Sequence, residues 1–527
     1  MLSVGDTSSN KTMNQRKIGS IISYLQMVLT MIVSIVYTPY MIHRLGQNEY
    51  GLYNTVASTI SMLSILSLGF SSGYIRYYSV YKKADDRESI KKLNGLFIKI
   101  FLVIGFIALL CGLYISFNLN LIFKDGLTQD EYRIARVLMI ILTLNLSISF
   151  PMSVFSSIIS AHEKFVVLKL VGIMKTVCGP LVTIPLLLYG FRSVAIVCVT
   201  VAFSLIADFI YVYYVLLILK ERFIWSGYDK GILKKLTIYT SFIAINMIID
   251  QINWNIDKLV LARYKGTILV AVYSVGYTLN TYYNMVSTAV SSVFTPLVHR
   301  IVNEFKDQDS KQREALTNVF TKVGRVQMLI LGLFSTGLIL FGKQFITAWA
   351  GEGFEDAYYV VLLLAIPATI PLIQNVGIEI QRAMDKHKFR SIAYTIMAII
   401  NLIVSIYLCQ IWGPVGCAIG TGASMIIANG IIMNIYYHNH CNIDVVYFWK
   451  EIIHMLLGII IPFIIFEVLT HIISVSNSYM SLIPWIASYT ITYSVCVWLL
   501  SMNSYEKELV IRCFKKLKTT KNNVKRV

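Results

Sequence analysis

Asn246, Asp250, Asn253 and Asp257 follow one another at intervals of four, three and four along an apolar stretch from Thr237 to Arg263, TIYTSFIAINMIIDQINWNIDKLVLAR. Those intervals put all four side chains on one stripe of a helix, while Ile245, Ile248, Ile249, Ile252 and Ile256 occupy other faces. The stretch is long enough to cross a bilayer. A carboxylate near mid-membrane costs about 2.5–3.5 kcal/mol to insert, so it normally faces a bundle interior or a watery cavity. Two readings are open to the stripe: polar glue between packed helices, or the lining of a transport pathway. The two aspartates favour the pathway. Asp257 is the weaker of them, because Lys258 and Arg263 lie near and it sits closer to a membrane face.

The rest of the chain must be what positions that stripe. Of 527 residues, 56% are hydrophobic and only 14% charged, against about 25% charged in soluble domains, so the chain is read as an all-α polytopic membrane protein. Polar stretches between apolar runs reach only about two dozen residues, too short for a soluble domain with its own core. Eight cysteines are scattered, most of them within apolar segments, and no CxxC or Cys/His spacing points to a metal site or a disulfide frame. The net charge of +18 does not imply a nucleic-acid partner, because the Lys and Arg residues cluster in alternate loops and report orientation instead.

Hydropathy predicts fourteen spans. The first six fall near 18–42, 50–73, 94–117, 133–160, 166–189 and 193–219. The next six fall near 237–263, 267–298, 323–347, 356–383, 391–412 and 414–437, and the last two near 451–474 and 479–502. The basic loops follow the even-numbered spans, which puts both termini in the cytoplasm. Residues 1–17 read as a cytoplasmic tail and not a signal peptide, with Met13 as a second candidate start. Residues 503–527 form a basic tail ending in KKLKTTKNNVKR. The organisation expected is a lobe at 18–219, a cytoplasmic linker at 220–236, a second lobe at 237–437 and two added helices within 451–502.

The two lobes repeat. At an offset of 220, Gly46 meets Gly266, Tyr53 meets Tyr273, Gln26 meets Asn246, Thr30 meets Asp250 and Tyr37 meets Asp257. The polar stripe thereby acquires a counterpart on the first helix, where Ser23, Gln26, Thr30, Ser34 and Tyr37 share one face. Further on, AHEKF at 161–165 corresponds to DKHKF at 385–389, and both sixth spans end in paired tyrosines. Six spans return a chain to its starting side, so the repeats are parallel about an axis along the membrane normal, an arrangement suited to a central cavity with alternating access.

The segments YMIHRLGQNEYGLYN at 40–54, LGFSSGYIRYYS at 68–79 and INWNIDKLVLARYKGTILVAVYSVGY at 252–277 make the chain resemble the polysaccharide (O-antigen and capsule) flippases. These belong to the exporter superfamily that also holds the multidrug and toxin extrusion transporters and the lipid II flippases. The resemblance covers essentially the whole chain and its six plus six plus two layout. It implies movement of an undecaprenyl-diphosphate-linked oligosaccharide from the cytoplasmic to the outer leaflet of the cell membrane, with membrane lipids, glycosyltransferases and a polysaccharide polymerase as partners. No cofactor is implied beyond a coupling H⁺ or Na⁺. Spacing by itself indicates only a two-lobed transporter.

For such a cargo the candidate residues take definite roles. Lys175 lies about nine residues into span five, roughly 13 Å along a helix, too deep to snorkel easily, and could meet the diphosphate. The alternative for it is a structural pairing with Asp208, similarly deep in span six. Arg76, Lys99, Lys169 and Arg382 lie nearer the cytoplasmic face, either snorkelling or forming a basic vestibule. Tyr277 and Asn280, on a polar stripe of span eight, suit sugar stacking and hydroxyl recognition. Asp250 could carry a proton or bind Na⁺ with Asn246 and Asn253.

Two rivals remain. A drug or metabolite exporter of the extrusion type shares the two-lobe plan but ordinarily lacks the last two spans. A membrane glycosyltransferase or polymerase would need a water-exposed loop with paired acids or a metal. The only outer acidic cluster, Glu352, Glu355 and Asp356, is better explained as the start of span ten, so no catalytic residue is assigned.

Overall fold

The computed structural model describes residues 5–124, 127–227 and 230–512. The first four residues, 228–229 of the linker and 513–527, most of the basic tail, lie outside the described residues. Every regular element described is helical. In chain order these are α1 (Gly5–Leu63), α2 (Phe70–Lys83), α3 (Arg87–Phe117), α4 (Gln129–Ala161), α5 (Phe165–Leu188), α6 (Ser193–Tyr213), α7 (Lys230–Lys265) and α8 (Thr267–Ser292). Then come α9 (Thr295–Glu304), α10 (Asp309–Ala350), α11 (Ala357–Ile373), α12 (Val376–Ala383), α13 (His387–Met425), α14 (Met433–His440), α15 (Val445–Ile472) and α16 (Tyr479–Leu500).

Among the described residues nine helices are long and apolar enough to cross a membrane, and eleven if the bent pairs α8–α9 and α11–α12 each count as one span. Two of the nine, Ile21–Lys83 and His387–His440, far exceed a bilayer's width. Each is interrupted by a glycine outside helical geometry, Gly46 at φ 73° and Gly413 at φ 57°. At the second break the chain folds back, since Ser405 Oγ donates to the Cys417 carbonyl at 3.5 Å. Splitting both and adding α7, whose polar stripe lowers its hydropathy, would give the fourteen expected from the sequence. Length and composition by themselves give nine to eleven.

Local geometry repeats between the two halves. Gly46 and Gly266 both take positive φ, and so do Gly190 and Gly413 just before the sixth expected span of each half. These are left-handed positions that only glycine adopts without strain. The second expected span breaks in each half, at Leu68–Gly69 and between α8 and α9. The sixth carries a π-helical segment in each, Tyr214–Ile218 and Ile426–Ile432. A further pair escapes sequence comparison: Asn94 Nδ2 donates to Glu221 Oε2 at 3.1 Å, and at an offset of 223 the Asp444 N–H donates to Thr317 Oγ1 at 2.9 Å. In each half the chain leaving the sixth span docks on the start of the third.

The backbone divides into two compact units, Met1–Ser274 with Ala398–Cys417, and Val275–Met397 with Ala418–Val527. In the first, α2, α3 and α4 enclose an aromatic cluster in which Phe70, Tyr74 and Phe97 meet edge to face at 5.2–6.5 Å. Pairs of this geometry add about 0.5–1.5 kcal/mol each beyond burial. In the second, Arg325 of α10 is 4% exposed and spends its whole guanidinium on neighbours. It donates to Glu506 Oε1 and Oε2 at 2.6 and 3.0 Å, to Glu451 Oε2 and the Glu451 carbonyl at 2.9 and 3.2 Å, and to the Ser501 carbonyl at 2.8 Å. This fork ties α15 and the chain after α16 to α10.

Breaking a buried ion pair from one side leaves uncompensated charge, costing about 3–5 kcal/mol, whereas replacing both sides with apolar groups can be neutral. Arg325→Met is therefore expected to lower the thermal unfolding midpoint in detergent sharply. Adding Glu506→Leu and Glu451→Leu should recover most of the loss.

Candidate functional site

Two α1 residues place the first polar stripe against α5. A Cβ built on Gly172 would lie 2.4 Å from Gln26 Nε2, so the amide occupies the notch that the missing side chain leaves. Eleven residues further along both helices, Tyr37 lies beside Thr183. Equal spacing on both helices means that α1 and α5 run side by side in one direction. Thr30 and Ser23 instead return their hydroxyls to their own helix, donating to the Gln26 and Gly19 carbonyls at 2.8 Å each.

Lys175 stands one turn beyond the Gly172 notch and is exposed. A turn further, a Cβ built on Gly179 would meet nothing within 4 Å, so α5 borders open space there. On α6, which packs on α5, Asp208 is half-buried and Lys175 acts on it electrostatically. The two form no direct ion pair among the described residues, and Asp208 Oδ2, itself inaccessible, has no hydrogen-bond partner there. Gln26, Lys175 and Asp208 thus form one polar seam across three helices.

The stripe on α7 divides into two environments. Asn246 and Asp250 are exposed and Asn253 is half-buried. Asp257 is 3% exposed beside buried Lys258 and accepts a hydrogen bond from Tyr273 Oη at 2.6 Å, which joins α7 to the start of α8. A neighbouring face of α7, not picked out by the sequence reading, does the polar packing on α1. Ser61 Oγ donates to Gln251 Oε1 at 3.3 Å, and Asn255 Nδ2 donates to the same oxygen at 2.6 Å. Their spacing of four was the available signal, overshadowed by the carboxylates one and two positions away.

The remaining candidates are dispersed. In the second unit Tyr277 is half-buried, while Asn280 is 1% exposed and receives Asn284 Nδ2 at 3.3 Å. The stripe continues inward to Ser287, which donates to the Leu372 carbonyl at 3.2 Å and accepts from Gln327 at 3.1 Å. Arg76 is exposed, Lys169 is half-buried, and Lys99 donates to the Trp225 carbonyl. Arg382, in the second unit, pairs with Glu379 one turn away at 2.7 Å. Sequence reasoning also missed a chain of polar contacts in the first unit, from Tyr78 Oη to His162 Nε2 at 2.8 Å, from His162 to Glu221 Oε1 at 2.9 Å, and through Asn94 to Tyr74. His162 lies in the repeated AHEKF segment, but nothing marked Glu221 as its partner. No group of three or more His, Cys, Asp or Glu able to hold a metal occurs among the described residues.

The sequence model of the polysaccharide biosynthesis protein family matches residues 17–302, more than half of the chain. The chain belongs to this family. It is a multi-pass membrane protein, 20% identical over 511 residues to the uncharacterized membrane protein EpsK of Bacillus subtilis (strain 168), with 94% of this chain and 97% of that protein covered. Its fold is similar to that of the lipid II flippase MurJ, whose structure was solved in an inward closed conformation, at a TM-score of 0.66 and 15% identity, covering 94% of this chain and 99% of that one. An inward-facing multidrug resistance MATE family transporter of the MOP superfamily matches at a TM-score of 0.61 and 14% identity, covering 82% of this chain and 99% of that one. These two fold neighbours are a flippase and a transporter.

Because the Gly172 notch is filled by Gln26, the family member should show coupling between the two positions. Gly172→Ala is expected to cost about 1 kcal/mol in thermal unfolding by displacing the amide, and combination with Gln26→Ala to restore the midpoint. Additive losses would disprove the packing.

Proposed function

We propose that this family member flips an undecaprenyl-diphosphate-linked oligosaccharide, an O-antigen, capsule or exopolysaccharide repeat unit, from the cytoplasmic to the outer leaflet of the cell membrane by alternating access. The observation that carries the reading is the polar seam of the first unit, in which the Lys175 cation stands exposed about ten residues into α5, next to an amide and beside open space. A diphosphate entering hydrocarbon needs a cation and hydrogen-bond donors in place of water. Lys175 supplies the charge and Gln26 an amide on α1, while Thr30 spends its hydroxyl proton on the Gln26 carbonyl. The coverage of the lipid II flippase MurJ supports a lipid-linked cargo over the multidrug alternative, because that fold accounts for 94% of the chain against 82% for the MATE transporter.

In this reading Asn246 and Asn253 of the first unit, and Tyr277 of the second, are the groups for glycan hydroxyls and faces, while Asn280 is enclosed within its unit. Asp250 is the coupling group for H⁺ or Na⁺, with Asp208 and Asp257 as further acidic candidates, and its open position on α7 supports that role. Arg76, Lys99 and Lys169 of the first unit, and Arg382 of the second, are the cations assigned to the cytoplasmic face. The cargo is supplied by glycosyltransferases on the cytoplasmic side and consumed by a polymerase on the other. Both termini face the cytoplasm.

Lys175→Ala and Asp250→Asn are each expected to reduce export of the surface glycan at least about tenfold, the loss of one charged contact, with membrane insertion unchanged. Normal export in both variants removes the site assignment. For orientation, a single cysteine at Arg192 should react with an impermeant maleimide added to intact cells, and one at Lys388 only after permeabilisation.

A further inference from the structure

Asp208 is an unusual neighbour for a cation meant to hold an anionic cargo. Its Oδ2 is inaccessible and lacks a hydrogen-bond partner among the described residues, so the favourable interaction found for this carboxylate is the pull of Lys175 across the α5–α6 contact. That pull acts without a direct ion pair. The Lys175 side chain is exposed and sits on a four-carbon stem with several rotatable bonds, and Gly179 leaves the space next to it empty. The ammonium can therefore lean towards Asp208 or turn out towards a ligand, but a single charge cannot fully satisfy both.

We propose that Asp208 is the resting counter-ion of Lys175 and competes with the cargo's phosphates for it, which sets how tightly the site holds its cargo. This rests on the reading above that Lys175 meets those phosphates. In the empty site Asp208 compensates Lys175, and the seam stays close to neutral inside a low-dielectric bundle. When a diphosphate arrives, Lys175 turns to it and Asp208 loses its compensation. Part of the binding free energy is thus opposed by a buried charge left alone, and the same opposition helps the cargo leave. A flippase gains from such a device because a site that held a diphosphate too strongly would not release it on the far side. Asp208 is a specificity-setting residue here, and touches no cargo itself.

The experiment uses the full chain in nanodiscs of uncharged lipid, with undecaprenyl diphosphate as the probe and undecaprenol as the control without phosphate. Asp208→Asn is expected to bind undecaprenyl diphosphate about tenfold more tightly than the wild type, the effect of removing one competing charge at close range, and to turn over more slowly. Asp208→Glu, which keeps the charge, should bind as the wild type does. Lys175→Met should bind at least about tenfold more weakly, with Lys175→Met/Asp208→Asn no tighter than Lys175→Met, and undecaprenol should be indifferent to all of them. Unchanged or weaker binding in Asp208→Asn, with Lys175→Met still weak, overturns the inference while the Lys175 reading stands. Equal binding by the wild type and Lys175→Met overturns that reading. A second measurement needs no variant: modification of wild-type Asp208 by dicyclohexylcarbodiimide should rise several-fold on adding undecaprenyl diphosphate, and an unchanged rate refutes the competition.

Discussion

In hydrocarbon a polar group finds no water, so each one must meet another polar group or border an aqueous space. The chain obeys that constraint in two contrasting ways. Arg325 is buried and satisfied by two carboxylates and two carbonyls, and buried Asp257 accepts from Tyr273 beside Lys258. Glu49, also buried, accepts from the Ser193 N–H and hydroxyl at 2.9 and 2.6 Å and from Arg192 at 3.2 Å, which closes the start of α6. These groups fix helices to one another. Lys175, Asn246 and Asp250 are instead exposed, which sets them apart from these buried pairings.

Glycine sets where the helices turn and how closely they approach. A Cβ on Gly51 would fall 1.8 Å from the Thr267 carbonyl oxygen, so the start of α8 lies directly on α1 at a point no other residue allows. Next to it the breaks at Gly46 and Gly266 reverse the chain at matching places in the two halves. The same sequence repeat thus fixes both the turn and the close packing beside it. Asn94 with Glu221, and Thr317 with Asp444, extend the correspondence to contacts between residues of different type, which residue-by-residue comparison could not register.

The amino-acid sequence by itself determined the class: a membrane protein of apolar helices, a polar stripe on α7 and on α1, and charges within apolar helices at Lys175, Asp208 and Asp250. Composition and helical periodicity suffice for that, because they depend only on which residues recur at which spacing. Only the tertiary structure decided which members of a stripe are open and which are consumed in packing. Asp250 and Asp257 share one helical face, yet the first is exposed and the second is held by Tyr273 from another helix. Asn280 suits sugar binding by type but is enclosed among neighbours within its unit, and Gln251, unremarked in sequence, is a packing contact of α7 on α1. Burial and partnership are properties of chain segments far apart in sequence. A periodicity within one helix carries no information about which neighbour will cover it.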